Sequence, residues 1–209
     1  AAIKNGSYGK LMKAYYAKQD AEKLSGKGDT SQKLTLMKTS ADSLKKSADA
    51  LNDSSLWEKK KIKKKDEKTG EEIEVEDYDW DKITKAVKSF VEDYNDVVKE
   101  AGESNTKDVL RNASWMAGMT DKNSNMLAKI GITIGKGNKL ELDEDALKQA
   151  DISSLKTVFT GYNSFVSKIS QKATGISNAA NRASATYTNN GTYSKTDSSL
   201  TSNKIDKEV

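Results

Sequence analysis

The 209 residues suffice for one domain, yet 35% are hydrophobic and 32% are charged, so the sequence predicts an elongated fold with a thin core. Cysteine, histidine and proline are absent, which excludes disulfides, thiolate or imidazole catalysis, and metal sites built from those ligands. The 35 basic and 31 acidic residues are interspersed, unlike the one-sided basic surface of a nucleic-acid-binding protein. Since no apolar run reaches the roughly 18 residues of a membrane span, we expect no membrane insertion.

The first predicted elements are a short helix within residues 1–24, a glycine-containing loop at residues 25–29 and a longer helix after it. In the longer helix, apolar residues recur at alternating steps of three and four, which is the spacing of a coiled-coil seam. The residues of this first seam are Leu34, Met37, Ala41, Leu44, Ala48 and Leu51.

A basic run and an acidic run flank the turn sequence DEKTG, which predicts a charged β-hairpin inserted at residues 57–79. Opposite charges on facing strands stabilise such a pairing, although a hairpin of two strands is marginal in water. A solvated charged loop is therefore the alternative. The predicted cross-strand pairs are Lys61 with Glu76, Lys63 with Glu74, Lys65 with Glu72, and Ile62 with Val75.

A second seam begins behind Asp81, with the same spacing and a wider apolar stripe. A third helix is predicted from residue 106 to residue 130, with a break or irregular turn in the polar segment at residues 120–125. The second seam consists of Ile83, Val87, Phe90, Tyr94, Val97 and Ala101, widened by Ala86, Val91 and Val98.

Alternating apolar residues around the sequence GKGNK predict a small hairpin at residues 131–143, followed by a helix that begins at Asp143. The longest apolar pattern comes last and predicts one continuous heptad helix. Residues 188–209 are polar and are expected to form a flexible tail, and a chain that starts without methionine suggests a mature fragment. The last seam consists of Ile152, Leu155, Phe159, Tyr162, Val166, Ile169, Ala173, Ile176, Ala180, Ala183 and Tyr187.

Together these patterns predict a mainly α fold, in which residues 1–187 form a single elongated helical bundle with coiled-coil packing and two small β-hairpins. Beyond Gly175 the last seam thins to Ile176, Ala180 and Ala183, and alanines bury too little apolar surface to order a helix alone. We therefore expect this segment to contact a partner, and truncation at Thr174 to leave the melting temperature nearly unchanged. The predicted partner-contact residues are Ile169, Ala173, Ile176, Ala180, Ala183 and Tyr187.

Three patterns that could hold a ligand are incomplete. Asp121, Asn123 and Asn125 match the opening of a calcium loop, but Met126 replaces its glycine and Ile132 replaces its glutamate. The glycine-rich segment GITIGKGNK lacks a phosphate-binding signature, and the carboxylates after it are explained by helix capping. We therefore predict no enzyme, no cofactor, no metal and no small-molecule substrate.

Tryptophan residues give an alternative function. Their faces stack on sugars, so Trp57 and Trp80 at the two feet of the charged hairpin form a candidate platform for a glycan or a host protein. Packing in the core or against the hairpin is the structural alternative, favoured by the helical stripes beside Trp80 and Trp115. The alternative function is thus a bacterial surface binding module displayed on the bundle.

Three segments, within about residues 80–190, resemble the flagellar hook-associated filament-cap protein family. The first is the FV-x-x-YN pattern at Phe90–Asn95. The second, Met126–Ala150, is similar to the family's helix that ends at I-G-I, its hairpin through a glycine turn, and its next helix at D-E-D-x-L-K. The third is LKTVFTG at Leu155–Gly161, which looks like the segment before the family's C-terminal coiled coil.

The resemblance implies an exported structural protein, extracellular and either associated with the flagellum or at the cell surface, that acts through helix–helix association. Its implied partners are copies of itself or flagellar axial proteins. The resemblance does not extend to the family's N-terminal motif. The charged hairpin stands where that family inserts large head domains, which are lacking here.

Overall fold

The computed structural model describes residues 28–66 and 70–186. The helix predicted within residues 1–24, the predicted partner-contact residue Tyr187 and the tail at residues 188–209 lie outside the described residues. The described part is mainly α with two small antiparallel hairpins, which confirms the predicted fold class. Its helices are α1 (Ser31–Asn52), α2 (Trp80–Gly102), α3 (Lys107–Lys122), α4 (Ser124–Ala128), α5 (Glu144–Gln149), α6 (Ile152–Phe159) and α7 (Phe165–Thr186), and its strands are β1 (Lys60–Lys65), β2 (Glu72–Asp77), β3 (Ile132–Ile134) and β4 (Leu140–Leu142).

The core lies between the long helices, with α7 packed mainly against α1 and α3, and α1 also packed against α2. α1 begins after Thr30, whose hydroxyl oxygen accepts a hydrogen bond from the backbone N–H of Lys33 at 3.3 Å. This is the usual side-chain cap of a helix start. Every residue of the first seam and all six main residues of the second seam are buried, which confirms both seams.

The Tyr94–Asn95 pair connects α2 to two other elements. The fully buried Tyr94 donates its hydroxyl hydrogen to Oγ1 of Thr120 in α3 at 2.9 Å, and burial raises the pKa of this phenol. The Asn95 amide pairs with the backbone of Leu140 in β4, donating to its carbonyl at 2.9 Å and accepting from its N–H at 2.7 Å. Tyr94 and Asn95, the YN of the sequence pattern, therefore attach α3 and the second hairpin to α2.

The second hairpin and the break before it form as predicted. β3 and β4 are antiparallel, with Ile132 opposite Leu142, and Asp143 caps the following helix with its carboxylate. A junction at Asn123 separates α3 from α4, within the polar segment where a break was expected. Because the Asn123 amide donates to the carbonyl of Met119 at 2.8 Å, this residue closes a helix end.

The charged hairpin forms in the predicted register, so the alternative of a solvated loop is wrong. Its ion pairs, however, are diagonal. Lys63 lies 3.8 Å from Glu72, and Lys64 lies 2.6 Å from Asp77, because a long lysine side chain on a twisted ribbon reaches past the residue directly opposite. The facing residues are Lys61 and Glu76, Ile62 and Val75, Lys63 and Glu74, and Lys65 and Glu72.

The prediction of one continuous last helix is wrong. α6 ends at Phe159 and α7 begins at Phe165. Between them, Gly161 has a φ of 97°, a conformation that glycine adopts without steric cost, and its N–H donates to Oδ1 of Asn52 at 2.8 Å. Tyr162 was assigned to the last seam, but the turn takes it off the buried face and leaves it 82% exposed.

Candidate assembly site

The predicted partner-contact face of α7 lies against the chain's own helices. Four of its residues are fully buried and a fifth is half-buried beside the same core. A cut at Thr174 would therefore remove core residues, so the expectation of unchanged stability is not supported. Contact of this face with a partner would require α7 to leave α1, and it stays a prediction. In chain order the residues are Ile169, Ala173, Ile176, Ala180 and the half-buried Ala183.

Two polar contacts repeat between α1 and α7 at an interval of seven residues on each helix. Ser177 donates its hydroxyl hydrogen to Asp42 at 2.6 Å, and Ser170 donates to Asp49 at 2.7 Å. A lysine one turn before each aspartate donates to the other carboxylate oxygen. The hydrogen bond from Lys38, together with the one from Ser177, lowers the pKa of Asp42. Both carboxylates therefore serve as acceptors that define how the two antiparallel helices are aligned.

The other side of α7 approaches α3 closely at Gly175. A Cβ atom at this position would lie 2.6 Å from Oδ1 of Asn112, so a larger residue would clash unless that side chain moved. The Asn112 amide is itself held by a hydrogen bond to the carbonyl of Asp108 at 2.8 Å. Glycine costs about 1 kcal/mol of helix propensity relative to alanine, and here it permits the close packing of two helices. α7 is thus enclosed between α1 and α3.

Asp29, just before α1, connects the start of that helix to the turn between α2 and α3. Its carboxylate accepts hydrogen bonds from the hydroxyls of Ser104 at 2.6 Å and Thr106 at 2.7 Å, and from the backbone N–H groups of Asn105 and Thr106 at 2.9 Å. The side chain is fully buried, with Nζ of Lys33 at 3.5 Å. Burial raises the pKa of Asp29, but these hydrogen bonds and the lysine charge outweigh burial and lower it. No pattern in the sequence indicated a role for Asp29.

Replacing Asp29 with alanine should lower the free energy of unfolding by about 2 kcal/mol, because the partly buried Asn105 N–H and Thr106 hydroxyl lose the acceptor they have in Asp29. Asp29→Asn is the matched variant, since it keeps the shape and one acceptor oxygen and should lose less. Urea unfolding of the three proteins at pH 7 measures the difference. Equal stability of all three would show that the contact contributes nothing.

The effect of Asp29 should also depend on pH. Its pKa is lower in the folded chain than in the unfolded chain, so its stabilisation is complete above the unfolded pKa of about 3.9 and is lost as the pH falls through the folded pKa. The difference in unfolding free energy between wild type and Asp29→Asn should therefore be constant from about pH 5 to pH 7 and shrink below about pH 4. A difference that stays constant down to pH 2 would contradict this assignment.

Trp57 and Trp80, the candidate binding platform, are packed against other aromatic rings. Trp57 is fully buried, stacks on Phe159 with ring centroids 5.4 Å apart, and donates its indole N–H to the carbonyl of Leu51 at 2.8 Å. Trp80 is half-buried beside Tyr78, with centroids 6.3 Å apart. The platform prediction is corrected for Trp57, because a ring enclosed in the core offers no face to a glycan.

The outer surface of the paired helices presents a different tryptophan. Trp115 on α3 is 59% exposed, and Nζ of Lys172 on α7 lies 4.3 Å from its ring centroid, within cation–π distance. Leu36 on α1 is also half exposed. The sequence pattern places Trp115 beside a helical stripe. It does not indicate the pairing with Lys172, because nothing in the spacing shows that α3 and α7 are neighbours.

Comparison with known proteins identifies one family. A family model described as flagellar hook-associated protein 2 C-terminus matches residues 104–209, just over half of the chain. No curated protein and no solved structure matches the chain significantly. Within the described ranges, no helix is long and apolar enough to cross a membrane. The matched range contains α7, whereas α1, which packs extensively on α7, precedes that range.

Proposed function

The chain belongs to the flagellar hook-associated protein 2 C-terminal family, and from this membership we propose that it is an exported structural subunit of the flagellum, related to the filament cap. It acts by association rather than catalysis, and its partners are copies of itself or flagellar axial proteins. The observation that carries the proposal is the family match over residues 104–209. Its place of action is extracellular, at the flagellum.

The packing of α7 supports assembly of a folded stem, by which we mean the α1, α2, α3 and α7 bundle. Because Ile169 and Ile176 are fully buried and Ser170 and Ser177 are bonded to α1, freeing α7 for a partner would break the core. The outer surfaces require no such rearrangement. The exposed Trp115 with its neighbouring Lys172 is the candidate contact on the stem, since tryptophan is enriched where proteins bind one another.

Fractionation of the native source bacterium tests the proposal. Sheared filaments are collected by centrifugation and separated from the culture medium, the cell envelope and the cytosol, and the protein is detected with an antibody in each fraction. We expect enrichment in the filament fraction of motile cells. In cells that lack filaments, the protein should appear in the medium, because export does not require a filament to bind.

The control for this experiment is a cytosolic enzyme followed in the same fractions, which reports cell lysis. Recovery of the protein with that enzyme alone, in both motile and filament-less cells, would contradict the proposal. The variant Trp115→Ala should reduce recovery with filaments while leaving export into the medium unchanged.

A further inference from the structure

The charged hairpin separates its charges by strand. Lysine occupies five of the six positions of β1, and Glu72, Glu74, Glu76 and Asp77 occupy four of the six positions of β2. Among the described residues the sheet contains only these two strands, so each has an outer edge that no strand covers. One edge of the ribbon is therefore basic and the other is acidic.

The backbone of the charged residues faces outward at these edges. The N–H of Asp66 donates to the carbonyl of Glu71 at 2.9 Å, which makes this pair a hydrogen-bonded pair. Hydrogen-bonded and non-hydrogen-bonded pairs alternate along an antiparallel ribbon. In the register of the hairpin, the residues whose N–H and C=O groups point away from the partner strand are therefore Lys61, Lys63, Lys65, Glu72, Glu74 and Glu76.

We propose that this hairpin joins copies of the chain, with the β1 edge of one copy paired to the β2 edge of a second copy. If two copies point the same way, β1 of one lies beside β2 of the other, and these strands run in opposite directions. Antiparallel pairing then follows without any rearrangement of the ribbon. At equal height, Lys63 lies opposite Glu74 of the second copy, and the outward backbone groups of three such residue pairs bond to one another.

Charge selects this pairing over the others. Unpaired edge strands commonly carry lysine, which prevents association because two such edges repel. Here two β1 edges repel each other and so do two β2 edges, whereas the β1 edge of one copy attracts the β2 edge of another. Lys61, Lys65, Glu74 and Glu76 make no ion pair within 4 Å among the described residues, so their charges are available to a second copy.

The opposite face of the ribbon is compatible with the same arrangement. Ile62 and Val75 face each other and are half-buried, and Ile73 is 40% exposed. In the proposed register, Ile62 also lies opposite Val75 of the second copy, so the apolar row continues from one copy to the next. The basic and acidic edges are different surfaces, so the pairing can repeat from copy to copy, and it closes into a ring only where the rotation between neighbouring copies completes a full turn.

A charge-swap variant tests the pairing, with Lys61, Lys63 and Lys65 changed to Glu and Glu72, Glu74 and Glu76 changed to Lys. Each of the hairpin's facing charge pairs is reversed, so the variant should self-associate as the wild type does. In a mixture, a wild-type basic edge meets a basic edge of the variant, and acidic edges meet likewise. The affinity of wild type for variant should therefore be at least about tenfold weaker than that of either protein for itself.

Native mass spectrometry of ¹⁵N-labelled wild type mixed with unlabelled variant reads out the result, since the swap leaves the composition unchanged. Separate wild-type and variant oligomers support the proposal. Mixed oligomers in statistical proportion overturn it, because association then occurs through another surface. Absence of oligomers from both proteins also overturns it.

A backbone variant checks the hydrogen bonds independently of charge. Lys63→Pro removes an N–H that points outward, and proline is tolerated at such edge positions, so the hairpin should persist while self-association falls at least about tenfold. Association of the wild type should also weaken between 0.1 M and 1 M salt, as the screening length falls from about 10 Å to about 3 Å. Unchanged association of Lys63→Pro would contradict the edge pairing.

This inference rests on the proposed function, but the two fail separately. A chain that is recovered with filaments but shows mixed oligomers retains the proposed function and loses the hairpin pairing. A chain found only with the cytosolic enzyme loses the proposed function, whatever the hairpin does in solution.

Discussion

Replacing Phe159 with alanine should lower the free energy of unfolding by roughly 3 to 5 kcal/mol, the cost of removing a buried aromatic side chain. Phe159 is fully buried, and its ring stacks on Trp57 and meets Phe90 edge-on with centroids 6.5 Å apart. Its loss would leave a cavity between the base of the charged hairpin and α2. Urea unfolding followed by far-ultraviolet circular dichroism measures the change.

Tyr162→Ala is the matched control for this substitution. Tyr162 is an aromatic residue three positions further along the chain, but it is 82% exposed in the turn between α6 and α7. Its replacement should change the free energy of unfolding by no more than about 0.5 kcal/mol. If both variants lost the same stability, Tyr162 would be a core residue, and the break between α6 and α7 would be wrong.

Ile176→Ala should lower the free energy of unfolding by about 3 kcal/mol, within the range for truncating a buried isoleucine. Ile176 is fully buried in α7, close in sequence to Ser177, which bonds to Asp42 of α1. The measurement is the same urea titration, accompanied by sedimentation velocity to follow self-association. The substitution should destabilise the monomer because α7 belongs to its core.

Asn178→Ala is the control for Ile176→Ala, since Asn178 is exposed on the same turn of α7. Alanine has a higher helix propensity than asparagine, so this variant should be as stable as the wild type or slightly more stable. If Ile176→Ala instead kept its stability but weakened self-association, Ile176 would be a partner contact, as the sequence pattern predicted.

Periodic patterns predicted the helices and the charged hairpin because each pattern states which face is buried. Apolar residues at steps of three and four predicted that Leu44 and Phe90 lie in the core. Alternating charged and apolar residues, with opposite charges on the two strands, predicted that Ile62 lies opposite Val75. A one-residue slip of a strand would move every side chain to the other face, so a correct pattern specifies the register. The ion pairs of the hairpin were not predictable, because flexible lysines reach several carboxylates.

The break at Gly161 was not predictable, because the heptad spacing continues across it. Phe159 and Val166 are seven residues apart and both are buried, although five residues, 160–164, separate their helices. Asp29 was missed for a different reason. Its hydrogen-bond partners, beginning with Ser104, are 75 residues or more away, and only the folded chain brings them together.

The thin seam of α7 was interpreted as a partner contact because its apolar content was considered without the helix that faces it. Alanines of a thin seam are enclosed when the facing helix supplies larger side chains, and the buried face of α1, which packs on α7, includes Leu44 and Leu51. The repeated serine–aspartate contacts were predictable from the sequence, since Asp42 and Asp49 are seven residues apart and so are Ser170 and Ser177.

The polar contacts of α7 together determine the length of the stem. A slide of α7 by three or four residues would preserve an apolar seam but separate Ser170 and Ser177 from their aspartates. A slide by a whole heptad, about 10 Å, would keep only one of the two serine–aspartate pairs. Gly175 opposes a heptad step as well, because the Asn112 side chain would have to move. A slide of seven residues would bring Lys168 or Arg182 to the place where even a Cβ atom would lie 2.6 Å from Asn112. The two serine–aspartate pairs and Gly175 thus determine the axial position of α7 against α1 and α3, and with it the distance between the charged hairpin and the far end of the bundle.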